Sequence, residues 1–563
     1  MARVLRHRGP DDNGIVMVAE PPAGMYHTRL SIIDLSEAGH QPMTSMDGRY
    51  TITFNGEIYN YIELRAELPD YPYQSRTDTE VILAAYQRWG RACLHRFIGM
   101  FAFVLWDAQE ERLWAARDRF GVKPFYYHLD KAGTLRISSE IKALRASGVR
   151  LKPDPTTWAT YLSRGLYDHS ERTFWEHVRS LPPGGEMTWS RAEGVKIRSW
   201  YDLAHVAGGE KDTRDDDAVA DELLAFLEES VRLRFRSDVP VGVCLSGGLD
   251  SSLLLGLIHR MQGPDSEVEA FSFHCGDPAY DETPWIEAML QTTRHPWSLC
   301  LLAPERIPAL AAAVQLYQDE PYGGLPTLGM ACVHERAREH GVTVLLDGNG
   351  IDEAWGGYDY YGHSQEVDAD SGPVQGSMNS LAFLESVMRP EFAALAMPWA
   401  TPRPGNDPLC NLQYRDIRCA KIPRALRFND RVSMMFSREL REPFLDHRIV
   451  ELGLRQPTHR KIRNGQGKWL VREVARRIIP ASVSSAPKRP VQTPQREWLR
   501  GPLADWAVRC VDIALEGWGR EWLEPHAARK YVKRFIEEGA DNSFPFWQLV
   551  NLGLAVEAAP ENC

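Results

Sequence analysis

Residues 241–252 have the sequence VGVCLSGGLDSS, and this stretch decides the fold of the larger part of the chain. Its apolar run predicts a buried strand that ends at Leu245, and a helix is predicted from Leu249 onward. Ser246, Gly247 and Gly248 join the two with minimal side chains. The N–H groups of such a turn and the positive end of the helix bind anions, and glycines let a phosphate approach the backbone. We therefore predict a phosphate-binding loop, with Asp250 placed to hold Mg²⁺ against phosphate oxygens.

The loop is not a Walker A motif, because no Gly-Lys-Ser/Thr follows the glycines. The string Gly-Gln-Gly-Lys at residues 465–468 lacks both the hydroxyl residue and a preceding strand, so it does not predict one either. The complete string Ser-Gly-Gly-Leu-Asp-Ser-Ser after an apolar strand resembles the pyrophosphate-binding loop of the PP-loop ATP pyrophosphatases. Those enzymes adenylate an acceptor and release pyrophosphate.

Strand-like and helical patterns alternate around this loop. The predicted strands are residues 239–245, 268–273 and 342–346, and the predicted helices are 217–235, 252–261, 283–292 and 329–340. Continuous apolar strands that alternate with helices are typical of a parallel α/β sheet. After about residue 375 the pattern is mainly helical, as at 468–478 and 543–558. We predict an α/β parallel-sheet domain with a helical C-terminal part over residues 218–563.

A second polar string follows the apolar run 342–346. It is Asp-Gly-Asn-Gly-Ile-Asp-Glu, residues 347–353, with two glycines and three carboxylates within seven residues. Ligands of open α/β sheets bind beyond the carboxyl ends of the strands. We therefore expect this string to complete an adenosine pocket and to supply a second Mg²⁺ ligand, Asp352.

Residues 1–203 have a different pattern, with short strand-like runs at 50–54, 100–105 and 113–116 separated by turn residues such as Asn55-Gly56. One helical pattern, at 79–89, interrupts them. This predicts a strand-rich α+β layer domain. Residues 204–217, AHVAGGEKDTRDDD, are polar and contain glycine, and are predicted to be a linker.

Composition excludes several classes of protein. A chain of 563 residues is too long for one ordinary core. A net charge of −11 without basic runs argues against a general nucleic-acid binder, and no stretch approaches the ~18 apolar residues of a membrane span. The nine cysteines are scattered without a Cys-x-x-Cys pair, as expected for thiols in a reducing cytoplasm. A homodimer is compatible with the sequence, which does not fix the oligomeric state.

Ordered strings run along nearly the whole chain. They are RHRGPDD at 6–12, RLSIID at 29–34, NGEIYN at 55–60, TDTE at 77–80, GMFAF at 99–103, RDRFGVKP at 117–124, SGGLDSS at 246–252, GNGIDEAWGGY at 348–358, SRELREPFLD at 437–446 and PKR at 487–489. In this order they resemble the class II, glutamine-hydrolysing asparagine synthetases. The resemblance implies a glutamine amidotransferase domain with an Ntn-hydrolase sandwich, followed by a PP-loop ATP pyrophosphatase-type synthetase domain.

The resemblance also implies a reaction. ATP activates aspartate as β-aspartyl-AMP, ammonia attacks the acyl carbon, and asparagine, AMP and pyrophosphate result. Mg²⁺ on Asp250 and Asp352 offsets phosphate charge, and Lys488 steadies the charge that develops during adenylation. The implied ATP-binding residues are Leu245, Ser246, Gly247, Gly248, Asp250, Ser251, Phe273, Asp347 and Gly348. A non-catalytic binding module is the remaining alternative, and a lack of ATP affinity would favour it.

Asn349 occupies the position where the best-known family members have a glutamate that is linked with adenylate formation. It is expected to contribute to catalysis together with Asp352 and Lys488. The change also favours an alternative function, in which the enzyme amidates or cyclises another carboxylate, such as a sugar acid, a peptide or a natural-product precursor.

For the glutamine half-reaction, the resemblance implies that Arg29 pairs with the α-carboxylate, that Asp78 and Glu57 meet the α-amino group, and that Asn55 and Gly56 donate to the oxyanion. The family nucleophile is a cysteine at the mature N-terminus. This sequence begins Met1-Ala2-Arg3, and its first cysteine is Cys93. Either the native start lies upstream, or the enzyme uses free ammonia. We predict that the polypeptide of this sequence has no glutaminase activity.

Overall fold

The computed structural model describes residues 1–18, 22–365, 367, 384–400, 402–486, 493–539 and 542–559. The strands of the first part are β1 (Asp12–Val18), β2 (Ala23–Arg29), β3 (Met43–Thr44), β4 (Tyr50–Ile58), β5 (Gly99–Asp107), β6 (Arg112–Arg117), β7 (Tyr126–Leu129), β8 (Leu135–Ser138), β9 (Arg179–Ser180), β10 (Gly185–Ser190) and β11 (Gly194–Ser199). Its helices are α1 (Tyr61–Glu67), α2 (Asp78–Trp89), α3 (Ile141–Ala146) and α4 (Pro155–Arg164).

The first part is layered around an antiparallel sheet of order β11-β10-β6-β5-β4-β3. Helix α2 buries Val81, Ile82 and Ala85 against one face of this sheet. On the other face, Ala115 of β6 packs with Tyr127 of the small β8-β7-β9 sheet. Helix α3 covers that small sheet in turn. This order of layers confirms the α+β expectation.

The second part contains the strands β12 (Val241–Cys244), β13 (Ala270–His274), β14 (Trp297–Leu301), β15 (Val344–Leu346), β16 (Glu439–Arg441), β17 (Ile462–Arg463) and β18 (Gln466–Gly467). Its helices are α5 (Leu203–Ala207), α6 (Asp216–Arg234), α7 (Leu249–Gln262), α8 (Thr283–Thr293), α9 (Ile307–Gln318), α10 (Leu325–Glu339), α11 (Ile351–Trp355), α12 (Pro390–Ala393), α13 (Pro408–Arg415), α14 (Ile422–Met435), α15 (His447–Arg455), α16 (Thr458–Lys461), α17 (Trp469–Ala475), α18 (Ala481–Ser484), α19 (Gln495–Arg500), α20 (Ala504–Glu516), α21 (Gly519–Trp522), α22 (Pro525–Arg534) and α23 (Phe544–Ala558).

The central sheet of the second part is parallel, with strand order β14-β13-β12-β15-β16. The chain moves outward from β12 to β14 and then returns to the other side of β12 with β15. The order therefore reverses between β12 and β15, which is where open α/β sheets bind ligands. The predicted parallel sheet is confirmed, and the loops at 245–248 and 347–350 leave it at this switch point.

One prediction about boundaries needs correction. Residues 204–217 are not a plain linker, because α5 occupies most of their first half, anchored by the buried Leu203 and Ala207. Helix α4 lies within the predicted first domain, and its Trp158 and Tyr161 pack in the apolar core that also contains Trp547 of α23. The two parts therefore share a core of large aromatic side chains, which local patterns along the chain do not reveal.

A buried ion cluster also joins the two parts. Arg8 donates to Glu140 at 2.9 Å and to both carboxylate oxygens of Asp430, at 2.8 and 3.0 Å. Arg431 contacts Asp430 at 3.0 Å, and all four side chains are buried. Charges can be buried in this way only when they are paired and hydrogen-bonded.

Within the described ranges, no helix is long and apolar enough to cross a membrane.

We predict that Arg8→Met lowers the free energy of unfolding by about 3–5 kcal/mol, because Glu140 and Asp430 would lose a buried cationic partner. Chemical and thermal unfolding of the variant measure the change. Arg534→Met is the matched control, since Arg534 and Glu538 form an ion pair with side chains 74% and 68% exposed. The control should stay within about 1 kcal/mol of the parent. Equal stability of the two variants would contradict the prediction.

Candidate active site

The loop that follows β12 is built from small residues and held by hydroxyl groups. Gly247 has φ +68°, a left-handed conformation that favours glycine, and Gly248 is the N-cap of α7. The Ser246 N–H donates to Ser251 Oγ at 3.1 Å, and Ser251 Oγ donates to the Gly248 carbonyl at 3.3 Å. The loop is thus fixed at the start of α7, where the helix dipole favours an anion.

The loop that follows β15 lies beside it. A Cβ atom on Gly348 would stand 3.2 Å from backbone and side-chain atoms of Asp250, so the two loops touch. Burial raises the pKa of Asp347 to about 6, and the negative charge of Asp250 adds to the shift, whereas the Gly348 N–H opposes it. Asn349 Nδ2 lies 2.8 Å from Asp347 Oδ2 and 3.3 Å from Glu442 Oε1, so one amide group bridges two carboxyl groups.

Lys468 connects these loops from a distant part of the sequence. Its Nζ lies 2.7 and 2.6 Å from the two carboxylate oxygens of Asp250 and 2.6 Å from Asp352 Oδ1. Burial opposes the charge of this lysine, but Asp250 and Asp352 raise its pKa, so the ammonium group stays protonated. The residue has φ +55°, which is rare for a lysine and typical of functional sites.

Lys468 is not among the residues predicted from the sequence, because the string at 465–468 does not match a Walker A motif and carries no other known signature. The glycines at 465 and 467 serve the β17–β18 hairpin instead, whose end places Lys468 at the start of α17. A lysine directly after a Gly-x-Gly turn is the one signal that points to it, and that signal is weak on its own.

A cavity of about 1200 Å³ opens at this point. Of the residues predicted for ATP, metal and catalysis, it is lined by Ser246, Gly247, Gly248, Asp250, Ser251, Asp347, Gly348, Asn349 and Asp352. Leu245 and Phe273 do not line it: Leu245 is buried beneath the loop, and the ring of Phe273 packs against Gly329 of α10. Lys488 lies outside the described residues.

The residues predicted for glutamine share a second cavity, of about 840 Å³, in the first part of the chain. Arg29, Asn55, Gly56, Glu57 and Asp78 all line it. A Cβ on Gly56 would stand 2.0 Å from the carbonyl of Met100, so only glycine fits there.

The carboxyl groups in this second cavity are strongly perturbed. Asp78 accepts the Ile58 N–H at 2.8 Å, yet burial and then the negative charge of Glu439 raise its pKa to about 7. Burial and the neighbouring Asp78 also raise the pKa of Glu57, whose Oε1 lies 3.3 Å from Arg441 Nη2. A cationic ligand group would favour the ionised form of two buried acidic groups whose pKa values are raised, so the cleft is suited to receive such a group.

The structure shows whether another cysteine could replace the N-terminal nucleophile expected from the family. Among the described residues, no cysteine lines the second cavity. Cys93 is buried in the core beside α2, and burial raises the pKa of its thiol. Its thiol is therefore neither accessible nor ionised, and Cys93 does not replace the expected nucleophile.

Both parts of the chain match known protein families. The profile of a glutamine amidotransferase domain family matches residues 1–201, and that of the asparagine synthase family matches residues 222–559. The chain is 27% identical to asparagine synthetase [glutamine-hydrolyzing] 1 of Bacillus subtilis, over 98% of this chain and 92% of that protein. It is 29% identical to a putative asparagine synthetase of Mycobacterium tuberculosis, over 92% and 87%. It is 28% identical to amidase chry2 of Gibberella zeae, over 89% and 85%.

We predict that the affinity for glutamine rises about tenfold between pH 6 and pH 8. A group with a pKa of about 7 is ionised in only about a tenth of molecules at pH 6 and about nine tenths at pH 8, and the ligand's ammonium group pairs only with the ionised form. Calorimetric titration at several pH values measures the change.

Asp78→Asn should bind glutamine more weakly and without this pH dependence. Asp70→Asn, which alters an exposed aspartate, is the control and should behave like the parent. A flat pH profile in the parent would show that Asp78 does not meet the ammonium group.

Proposed function

The chain belongs to the asparagine synthase family and is an ATP-dependent, amide-forming ligase, and from this premise we propose that it makes asparagine from aspartate through β-aspartyl-AMP. The observation that carries the proposal is the contact of Lys468 with both Asp250 and Asp352, directly beside the glycine loop. A protonated lysine, an anion-binding loop and two carboxylates in one cavity are the groups that adenylation needs.

In the proposed first step, an oxygen of the substrate carboxylate attacks the α-phosphorus of ATP. The bond between that phosphorus and the oxygen bridging to the β-phosphate breaks, and pyrophosphate leaves. The loop at 246–248 holds the phosphates, and Lys468 offsets the negative charge that develops on them. Lys488 is proposed to assist from the segment beyond α18.

In the proposed second step, ammonia attacks the acyl carbon. The bond from that carbon to the oxygen of AMP breaks, AMP leaves with the electron pair, and the nitrogen loses a proton to give the amide. The adenylate makes this attack feasible, because a free carboxylate is negatively charged and has no good leaving group.

Mg²⁺ fits the site in part. Among the described residues no group of three or more His, Cys, Asp or Glu side chains could hold a metal ion. Asp250 and Asp352 nevertheless approach a single ammonium group, so two carboxylates can reach one cation, and Mg²⁺ in nucleotide sites takes its other ligands from phosphates and water. Bound there, Mg²⁺ would neutralise phosphate charge during adenylation.

The family also suggests the finer architecture and the nitrogen source. We propose an Ntn-hydrolase sandwich for residues 1–203 and a PP-loop pyrophosphatase-type fold for residues 218–563. Glutamine would lie in the cavity lined by Arg29, Asn55, Gly56, Glu57 and Asp78, or free ammonia would supply the nitrogen. We also propose a cytoplasmic location, which free thiols among the described cysteines favour, and small-molecule substrates.

A second candidate is amidation of another carboxylate. Asn349 favours it, since an amide there bridges Asp347 and Glu442 at the position where well-known family members have a glutamate. The fungal relative named an amidase is consistent with varied substrates within the family.

The experiment supplies ATP, Mg²⁺, ammonium and aspartate to the purified polypeptide and follows asparagine, AMP and pyrophosphate by mass spectrometry. Equimolar formation of all three supports the proposal. Pyrophosphate release that requires a different acid would favour the second candidate, and ATP binding without any acid-dependent turnover would reject both.

We predict that Lys468→Met lowers the rate of aspartate-dependent ATP–pyrophosphate exchange about 10²–10³-fold, because the developing phosphate charge loses its cationic partner. Lys468→Arg, which keeps the charge, should retain more activity. Lys530→Met, at an exposed lysine of α22, is the control and should exchange like the parent. Exchange at the parental rate by Lys468→Met would contradict the role of this lysine.

A further inference from the structure

Lys421 lines the same 1200 Å³ cavity, and the proposed reaction does not use it. Its Nζ lies 5.0 Å from the centre of the Tyr358 ring and 5.6 Å from that of Tyr360. The two rings are nearly parallel, at 7°, with centres 5.4 Å apart. The lysine thus lies next to an aromatic wall of the cavity.

The charge of Lys421 is poorly neutralised. Burial, followed by the positive charge of Arg424, lowers the pKa of Lys421 to about 7. Within the described part of the chain, no hydrogen bond or ion pair joins its Nζ to another residue. Arg424 adds to the imbalance, since its Nη1 is buried without a hydrogen-bond partner among these residues. A buried cation at a cavity wall, with a second cation close by, is unfavourable unless a ligand supplies negative charge.

The nearby carboxylates are already engaged. Asp416 Oδ2 accepts hydrogen bonds from Tyr360 at 2.5 Å and Tyr361 at 2.7 Å, and its Oδ1 pairs with Arg415 at 2.8 Å. Glu353 Oε1 accepts from Tyr358 Oη at 2.7 Å. Both carboxylates favour the charged form of Lys421, but both oxygens of Asp416 and Oε1 of Glu353 already accept hydrogen bonds from other side chains.

The backbone at this point is irregular. A π-helical turn, Asp416–Ala420, directly precedes Lys421, and α14 begins at the next residue, with Pro423 in its first turn. Such π-turns are rare and occur often at functional sites. The junction fixes the position of Lys421 at the cavity wall.

Lys421 and Lys468 mark two regions of one cavity. Helix α11 carries Asp352, which contacts Lys468, and Glu353, which contacts Tyr358 beside Lys421. A substrate that presents one carboxylate near Lys468 can therefore extend along α11 toward Lys421.

We propose that Lys421 binds a second anionic group of the acceptor acid, remote from the carboxylate that is adenylated. This assignment rests on the proposed function and names its substrate class, an acid with two negative groups separated by a short carbon chain. The carbon chain of the substrate would lie against the rings of Tyr358 and Tyr360. Lys421 would select against acids that lack the second negative group. An amino diacid such as aspartate and a diacid without an amine, such as succinate, share this chemistry.

Acid-dependent ATP–pyrophosphate exchange tests the assignment with two matched pairs. β-Alanine is aspartate without its α-carboxylate, and butyrate replaces one carboxylate of succinate with a methyl group. The parent enzyme should have a KM for at least one diacid that is tenfold or more below that for its partner, as expected when a charged hydrogen bond is lost. A preference for succinate over butyrate would show that the amine is not required. A preference for aspartate over β-alanine alone would show that it is.

Lys421→Met should raise the KM for that diacid about 10–100-fold, with the KM for ATP within twofold of the parent, and Lys421→Arg should restore most of the affinity. Lys530→Met serves as the control. An unchanged diacid KM in Lys421→Met, or equal use of both members of each pair by the parent, would overturn the role of Lys421 and leave the proposed function standing. Exchange with none of the acids, by a protein that binds ATP, would instead reject the proposed function itself, and the assignment with it.

Discussion

The ammonium group of Lys468 between Asp250 and Asp352 is the contact on which the synthetase half depends. It joins three segments, the loop after β12, the helix after β15 and the residue after the β17–β18 hairpin. Arg472 of α17 lines the same cavity and also interacts electrostatically with both carboxylates. The start of α17 thus places two positive charges opposite Asp250 and Asp352, beside the loop that is proposed to hold the phosphates.

The topology of the sheet makes this contact feasible. Because strand order reverses between β12 and β15, their two loops leave the sheet in different directions and enclose a cleft. Strand β16 then completes the edge of the sheet and reaches both cavities. Arg441 of β16 contacts Glu57 in the second cavity at 3.3 Å, and Glu442, the next residue, contacts Asn349 at 3.3 Å. One short strand therefore connects the electrostatics of the two sites.

Sequence patterns were sufficient for the parts of the fold that depend on local chemistry. The apolar runs and glycine turns predicted β12, β15 and the loops that follow them, because strand burial and turn geometry are encoded within a few residues. Placement of α4 and the pairing of Lys468 could not be predicted in this way. Both depend on contacts between residues far apart in sequence, and the left-handed backbone of Lys468 leaves no local pattern.

The proposed role of Lys421 could not be predicted from the sequence either, because it depends on how the nearby carboxylates are engaged in the folded chain. Its neighbours in sequence, Arg418 and Arg424, make a cationic segment that would ordinarily be interpreted as a solvated helix face. Only the folded chain shows that the ammonium group faces a cavity while the nearby acids are occupied.

The amide group of Asn349 also changes the charge of the cavity. A glutamate at this position would place a third carboxyl group beside Asp347 and Glu442, both of which already have raised pKa values. The amide removes that repulsion and donates to both neighbours, so this end of the cavity carries less negative charge. Fewer negative charges near Asn349 and the positive charge of Lys421 would both stabilise a bound acceptor with two negative groups. The proposed preference for such an acceptor therefore depends on the charges at Asn349 and at Lys421 together.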